Sequence, residues 1–112
     1  PDYPPDYGFA GWLENDARFL VYDRYDIWSI DPQGKAAAVN LTKVGRDQKI
    51  TFRHVWLNRE EKFIKPESTL LLSAFYEQFK TVNYYSLSLK TGELKKLTTG
   101  NYRFAGVTKA LN

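Results

Sequence analysis

The chain has 112 residues, enough for one small domain, and its 43% hydrophobic and 16% aromatic content is sufficient for a buried core. The net charge of +3 comes from residues scattered along the chain, and the densest basic spots, Lys95-Lys96 and the set from Lys43 to Lys49, lack the single-faced stripe of a nucleic-acid-binding surface. The absence of cysteine excludes disulfides and thiolate metal sites, and no apolar run approaches the roughly 20 residues that span a bilayer. We therefore expect neither nucleic acid nor membrane as a partner.

The predicted elements are short strands. Residues 1–7 hold three prolines and two aspartates, which predicts an extended lead-in. From residue 8 onward, aromatic and β-branched runs alternate with turn residues, and no window shows a sustained helical spacing. We predict nine strands, near 8–13, 18–24, 26–31, 37–42, 50–57, 69–76, 82–90, 93–98 and 102–109.

Four polar segments between these runs predict hairpin loops. Asp31 to Gly34 and Lys90 to Glu93 each contain a glycine for the position that needs a positive φ. Glu14 to Asp16 and Asn58 to Glu61 are polar breaks between apolar runs. Evenly spaced hairpins indicate an antiparallel meander.

The chain also repeats itself. The segment from Trp12 to Leu20 matches the segment from Trp56 to Ile64 position by position, with Phe19 opposite Phe63. A second element leads through a glycine turn to Leu41-Thr42 in one copy and to Leu97-Thr98 in the other. A period of this size built from four strands is typical of a β-propeller blade. We interpret Trp12 and Trp56 as core residues at equivalent places in two blades, where both would fill the gap between adjacent sheets.

These patterns predict an all-β chain of antiparallel four-stranded β-meanders, forming a partial β-propeller of two blades plus the first strand of a third. The predicted boundaries are a lead-in at 1–7, a blade at 8–42, a second blade at 43–98 and the start of a third blade at 99–112. An alternative is a self-contained β-sandwich or small barrel, in which the repeat reflects hairpin duplication only. Because the first residue is Pro1 and not Met, we expect a fragment of a longer parent chain.

The segments 11–20, 21–28 and 27–34, and the closing Val39 to Thr42, resemble the amino-terminal propeller of the prolyl oligopeptidase family of serine peptidases, particularly bacterial dipeptidyl-peptidase-like members. The resemblance covers residues 8 to 109. It implies a propeller segment that restricts or positions peptide substrate for a separate α/β-hydrolase domain, and a periplasmic or secreted parent, although this chain shows no signal peptide. Related propellers occur in translocation proteins and in sugar-processing enzymes.

Catalysis in that family requires a serine at a Gly-x-Ser-x-Gly elbow, and no serine of this chain has glycine two positions before it. His54 is the only histidine, lies in a predicted strand, and cannot anchor a zinc site alone. We therefore predict no catalytic, cofactor-binding or metal-binding residue, and no enzymatic activity of this chain by itself. The parent protein is expected to be a serine peptidase.

The candidate surface loop consists of Asp23, Arg24, Tyr25 and Asp26. In a four-stranded meander, the second-to-third hairpin and the blade-to-blade connection emerge on one face, which predicts that this loop lies together with 43–47 and 77–81. Asp23, Asp26 and Asp31 lie close in sequence, as the paired carboxylates of a glycosidase can. We interpret them as turn-forming residues instead.

Two further expectations concern partners. A carbohydrate- or protein-binding propeller module without a peptidase partner is the alternative function. Because two blades cut from a ring leave unsatisfied faces and edge strands, the isolated chain is expected to self-associate.

Overall fold

The computed structural model describes residues 8–13, 18–57, 63–97, 100–101 and 110–111. Within these ranges the chain is all-β, as predicted, apart from one four-residue helix. None of its described helical structure has the length and apolarity to cross a membrane. The elements in chain order are β1 (Phe9–Leu13), β2 (Phe19–Tyr22), β3 (Ile27–Ile30), β4 (Val39–Asn40), α1 (Gly45–Gln48), β5 (Ile50–Val55), β6 (Phe63–Ile64), β7 (Thr69–Tyr76), β8 (Thr81–Ser88), β9 (Leu94–Leu97), β10 (Gly100–Asn101) and β11 (Ala110–Leu111).

The first eight predicted strands coincide with β1 to β5 and β7 to β9, with boundaries that differ by at most a few residues. The ninth, at 102–109, lies outside the described residues, as does the lead-in at 1–7. The helix α1 and the strand β6 were not predicted, because elements this short are below the length at which a hydrophobic period can be read.

The first sheet has the order β4-β3-β2-β1-β6. Its strands β1 to β4 form the predicted antiparallel meander, and Phe19 of β2 lies opposite Ile30 of β3. The fifth strand, β6, pairs in parallel with β1 and places Phe63 beside Trp12. Two residues from the predicted second blade therefore extend the first sheet.

The second sheet is fully antiparallel, in the order β5-β7-β8-β9, and its long β7–β8 hairpin pairs Thr69 with Ser88 and Tyr76 with Thr81. The turn between β8 and β9 contains Gly92 at φ 82°, whose N–H donates to the carbonyl of Ser88, as the sequence predicts. A separate two-stranded sheet pairs β10 with β11.

The core lies between the two larger sheets, because alternate residues of each strand face the other sheet. The first sheet contributes Leu20 and Ile27, and the second contributes Phe52 and Leu72, all with no exposed surface. Phe52 also meets Tyr85 edge to face, with ring centroids 5.1 Å apart. Each meander thus buries one face against its neighbour.

The free edge of β5 is covered by the β2–β3 hairpin. The N–H of Phe52 donates to the carbonyl of Tyr25 at 2.7 Å, and the N–H of His54 donates to the hydroxyl of Tyr22 at 3.0 Å. These bonds satisfy edge donors that would otherwise pair with another chain. They also join the two sheets through polar contacts.

Trp12 and Trp56 occupy different surroundings, and Trp12 does not lie in the gap between the two described sheets. Trp12 is 40% exposed on the outer face of the first sheet. Trp56 is half-buried against the core, where its ring would lie 3.1 Å from a Cβ at Gly11. The cause is an irregularity in β1 between Phe9 and Gly11, which turns Trp12 to the side opposite the core.

The match between Phe19 and Phe63 also does not correspond to equivalent strands. Phe19 begins β2, the second strand of its meander, whereas Phe63 lies in β6 and the second strand of the other meander is β7. Leu97 is the last residue of the fourth strand of its meander, and Leu41 directly follows the fourth strand of the other. The repeat therefore holds for the order of the strands and fails for several of the paired side chains.

Candidate functional site

Three loops meet at one end of the two sheets, as predicted for the second-to-third hairpins and the connection between the meanders. Arg24 Nη2 lies 3.1 Å from Glu77 Oε1, and the Tyr25 hydroxyl lies 3.1 Å from Glu77 Oε2. The N–H of Glu77 donates to the carbonyl of Lys49 at 3.0 Å. We call this surface, formed by 23–26, 43–49 and 77–80, the loop face.

Asp23 shapes the first of these loops from inside. It is 2% exposed, and its Oδ1 accepts the backbone N–H groups of Tyr25 and Asp26 at 2.8 and 2.6 Å. Its Oδ2 accepts the indole N–H of Trp28 at 2.8 Å. Because both oxygens are occupied and buried, this carboxylate holds the turn and is not presented to a substrate.

Asp26 connects the first loop to the second. It is 1% exposed and accepts the hydroxyl of Thr42 at 2.5 Å, the N–H of Gly45 at 2.9 Å and the N–H of Arg46 at 3.3 Å. These donors include the first two backbone N–H groups of α1. The carboxylate therefore fixes the chain between the two meanders.

Asp31 lies at the opposite end of β3 from Asp26. It accepts the backbone N–H groups of Gln33, Lys35 and Ala36, and these bonds, that of Gln33 first, lower the pKa of its carboxyl. Asp23 and Asp31 thus form turns, as interpreted from the sequence, whereas the carboxylate of Asp26 bonds to Thr42, Gly45 and Arg46 in the connection between the meanders. The three aspartates do not form a pair around one substrate bond.

Tyr25 is buried to 4% exposure between charged neighbours. The Arg24 Cζ lies 5.1 Å and the Lys49 Nζ 5.5 Å from the centroid of its ring, while its hydroxyl meets Glu77. Cations at this distance are attracted by the ring quadrupole. Tyr25 therefore orders the charged side chains above it and is itself inaccessible.

The outer surface of the loop face carries five exposed cations, two of them in ion pairs (Arg24 with Glu77, and Arg46 with Asp23 at 3.8 Å), and one exposed aromatic side chain. Its exposed cations outnumber its outward anions, Asp47 and Glu77, five to two. Phe79 is 71% exposed in the turn between β7 and β8. The cations are Arg24, Lys43, Arg46, Lys49 and Lys80.

Sequence reasoning found the three loops of this surface but missed the roles of Lys49 and Phe79. The available signal for Phe79 was an aromatic residue inside an otherwise polar four-residue turn, Glu77 to Lys80. No local signal connected Lys49 to Tyr25, because the two approach only when the sheets pack.

His54 lies away from the loop face, on the core side of β5. Its ring centroid is 4.5 Å from that of Trp56, its Nδ1 is buried without a hydrogen-bond partner among the described residues, and burial lowers its pKa. It lines a groove of about 120 Å³ together with Ser68, whose hydroxyl donates to the carbonyl of Lys65 at 2.7 Å. His54 is thus a packed histidine, and the hydroxyl of Ser68, which lines the same groove, is bonded to a backbone carbonyl.

Among the described residues, no group of three or more His, Cys, Asp or Glu side chains could hold a metal ion. Comparison of the chain with family models, with curated proteins and with solved structures finds no match in any of the three.

Proposed function

We propose that this chain is a non-catalytic β-propeller segment of a serine peptidase of the prolyl oligopeptidase family. In that role it gates or positions peptide substrate for a separate α/β-hydrolase domain. The observation that carries the proposal is the tandem arrangement of two antiparallel four-stranded meanders, β1 to β4 and β5-β7-β8-β9, around one shared core. The sequence resemblance described above supplies the family.

The relation between the two meanders supports consecutive blades. Their second-to-third hairpins, at 23–26 and 77–80, emerge at the same end and are bonded to each other through Arg24 and Glu77. The connection between the meanders, which contains α1, lies at that end as well. This is the geometry expected when one blade follows the next in a propeller.

The outer faces of the sheets support this proposal over a β-sandwich, which shares the feature of two sheets around one core. A sandwich turns polar residues outward along its strands. Here the outer face of the first sheet carries exposed Phe9, Trp12 and Phe63, and that of the second carries exposed Phe75 and Val82. Apolar residues on both outer faces are what a blade needs when further blades pack on either side.

The parent protein provides the test. We expect its reading frame to continue through further blades to a Gly-x-Ser-x-Gly segment, and a fluorophosphonate probe to label that serine in the purified protein. Deleting the segment equivalent to residues 8–97 should widen the size range of peptides that are hydrolysed. A reading frame that ends near residue 112, or a parent that no such probe labels, contradicts the proposal.

The second candidate function, a binding module without a peptidase partner, is favoured by one observation. Trp12 packs against Phe9 and Phe19, with ring centroids 6.0 and 5.0 Å away, on a surface open to solvent. Aromatic faces of this kind stack on sugars. Titration of the chain with oligosaccharides should then shift tryptophan fluorescence in the native protein and not in Trp12→Phe, and the absence of a shift rejects this candidate.

A further inference from the structure

The second sheet has a gap at the end opposite the loop face, where β5 leaves β7. The last pair in the register of these two strands is Val55 opposite Leu71, and β5 ends there. The strand β7 begins earlier, at Thr69. Thr69 is therefore paired with Ser88 of β8 on one side and has no partner in β5 on the other.

The unpaired side of Thr69 presents backbone hydrogen-bonding groups. Alternate residues of an antiparallel strand bond to the same neighbour. The N–H of Glu77 donates to the carbonyl of Lys49, which directly precedes β5, and the register of β5 and β7 is continuous from that end to Leu71. Because Thr69 lies an even number of residues before Glu77, its N–H and C=O point to the side that β5 has left. An extended segment can pair with both groups.

An apolar groove adjoins this gap, since Thr69 is among the residues that line the groove of about 120 Å³ beside His54. We call it the His54 groove. Its walls are mostly apolar and include Trp56, Ile64 and Leu70. An apolar cavity of about 150 Å³ holds a benzene molecule, so the smaller His54 groove suits one branched aliphatic side chain.

The charge at the His54 groove is positive. Among the described residues that line it, Lys65 alone carries a formal charge, and it is exposed and outside the ion pairs of the described chain. The carbonyl of Lys65 accepts the N–H and the hydroxyl of Ser68, at 3.0 and 2.7 Å, which fixes the backbone that bears the ammonium group. Burial lowers the pKa of His54 and so favours its neutral form. A matching ligand carries a negative charge beside an aliphatic group.

From these features we propose that the His54 groove binds the C-terminal residue of an extended peptide. The aliphatic side chain of that residue fills the groove, and its carboxylate pairs with the ammonium of Lys65. A carboxylate oxygen also accepts the N–H of Thr69, and the N–H of the same peptide residue donates to the Thr69 carbonyl, as in a hydrogen-bonded pair of an antiparallel ladder. A fatty acid has no N–H for that carbonyl. The site lies away from the loop face, and its existence does not depend on the proposed function.

The test is an NMR titration of the ¹⁵N-labelled chain with the peptide acetyl-Ala-Ala-Leu. We expect saturable shifts at the Thr69 amide, which reports on the gap, and at the Trp56 indole, which reports on the groove wall. Acetyl-Ala-Ala-Gly should bind at least about tenfold more weakly, because it places no side chain in the groove. An absence of binding, or saturable shifts confined to other strand edges such as β4 or β9, overturns the proposal.

The carboxylate is tested with the same peptide as its C-terminal amide. The amide should bind the native chain about fourfold more weakly, because the charge that faces Lys65 is lost. This preference should disappear in Lys65→Gln and persist in the control Lys35→Gln, since both lysines are exposed and Lys35 lies in a different loop. A preference for the carboxylate that persists in Lys65→Gln contradicts the role of Lys65.

The backbone contact is tested with 4-methylpentanoate, which has the aliphatic group and the carboxylate but no N–H. It should bind about tenfold more weakly than acetyl-Ala-Ala-Leu, because the Thr69 carbonyl receives no donor. Equal affinity of the two ligands would show that the groove selects aliphatic carboxylates in general and would overturn the assignment to a peptide.

Discussion

Asp26 and Gly45, nineteen residues apart in the chain, are joined by a hydrogen bond of 2.9 Å from the Gly45 N–H to Asp26 Oδ1. The contact is so close that a Cβ on Gly45 would stand 2.5 Å from that oxygen and 2.8 Å from the carbonyl oxygen of Ile50. Glycine is therefore required here by proximity. The pair fixes where the first meander ends and where the second begins.

Gly45→Ala should lower the free energy of unfolding by about 2 kcal/mol, because one of the two clashing atoms belongs to the backbone and neither can move away freely. Urea unfolding measures the loss. Asp47→Ala, an exposed neighbour in α1, is the control and should change the stability much less. Equal losses in the two variants would show that the contact is not tight.

Asp26→Asn should also destabilise the fold, by about 2 kcal/mol, because an amide nitrogen would face hydroxyl and N–H donors that now meet a carboxylate. Asp31→Asn changes a carboxylate that forms a turn at the other end of β3, and we expect a smaller loss. Chemical denaturation of the two variants compares the stability contributed by the buried carboxylate of Asp26 with that contributed by the turn-forming carboxylate of Asp31. A larger loss of stability in Asp31→Asn than in Asp26→Asn would contradict the role given to Asp26.

Tyr22→Phe removes the hydroxyl that accepts the N–H of His54 at the edge of β5. The ring, which lies 4.3 Å below the Arg53 guanidinium, is retained. We expect a loss of about 1 kcal/mol and faster hydrogen exchange at the His54 amide. Tyr84→Phe is the control, since its hydroxyl forms no hydrogen bond within the described residues; unchanged exchange at His54 in Tyr22→Phe would argue against the edge contact.

The stability of the fold should depend on His54 as the pH falls. Burial lowers its pKa in the folded chain below the usual 6.5, so the unfolded chain binds a proton first. The contribution of the neutral histidine is complete above about pH 7.5, declines as the pH falls through about 6.5, and becomes constant below the folded-state pKa. Urea unfolding should show this fall in the free energy of unfolding between about pH 7.5 and 5.5 in the native chain and not in His54→Leu. An identical pH dependence of the two would contradict the role of His54.

Self-association of the isolated chain should depend on the aromatic outer face of the first sheet. Replacing Trp12 and Phe63 together by serine removes the two exposed side chains that lie side by side in β1 and β6, and we expect association to weaken by about tenfold. Phe79→Ser, on the loop face, should leave it unchanged. Sedimentation that finds a stable monomer of the native chain at high concentration would refute this expectation.

Much of the strand layout could be predicted, because each strand carries its own signal. The glycines at positions 34 and 92 mark turns in which both adopt a positive φ. Which side chains of the two repeat copies occupy equivalent places in the fold could not be predicted from their spacing in the sequence. The irregularity in β1 changes which face Trp12 occupies, and one such shift moves a side chain from the core side to the solvent side.

Local sequence was enough to predict the all-β class, the positions of the main strands and the turn-forming roles of Asp23 and Asp31, since these depend on residues close together in the chain. Local sequence does not show that Phe63 joins the first sheet, that Lys49 and Glu77 surround Tyr25, or that Trp12 faces outward. These relations arise when strands pair and two sheets pack against each other. Which distant residues then meet depends on the register and on the direction of each strand, and neither is specified by local sequence.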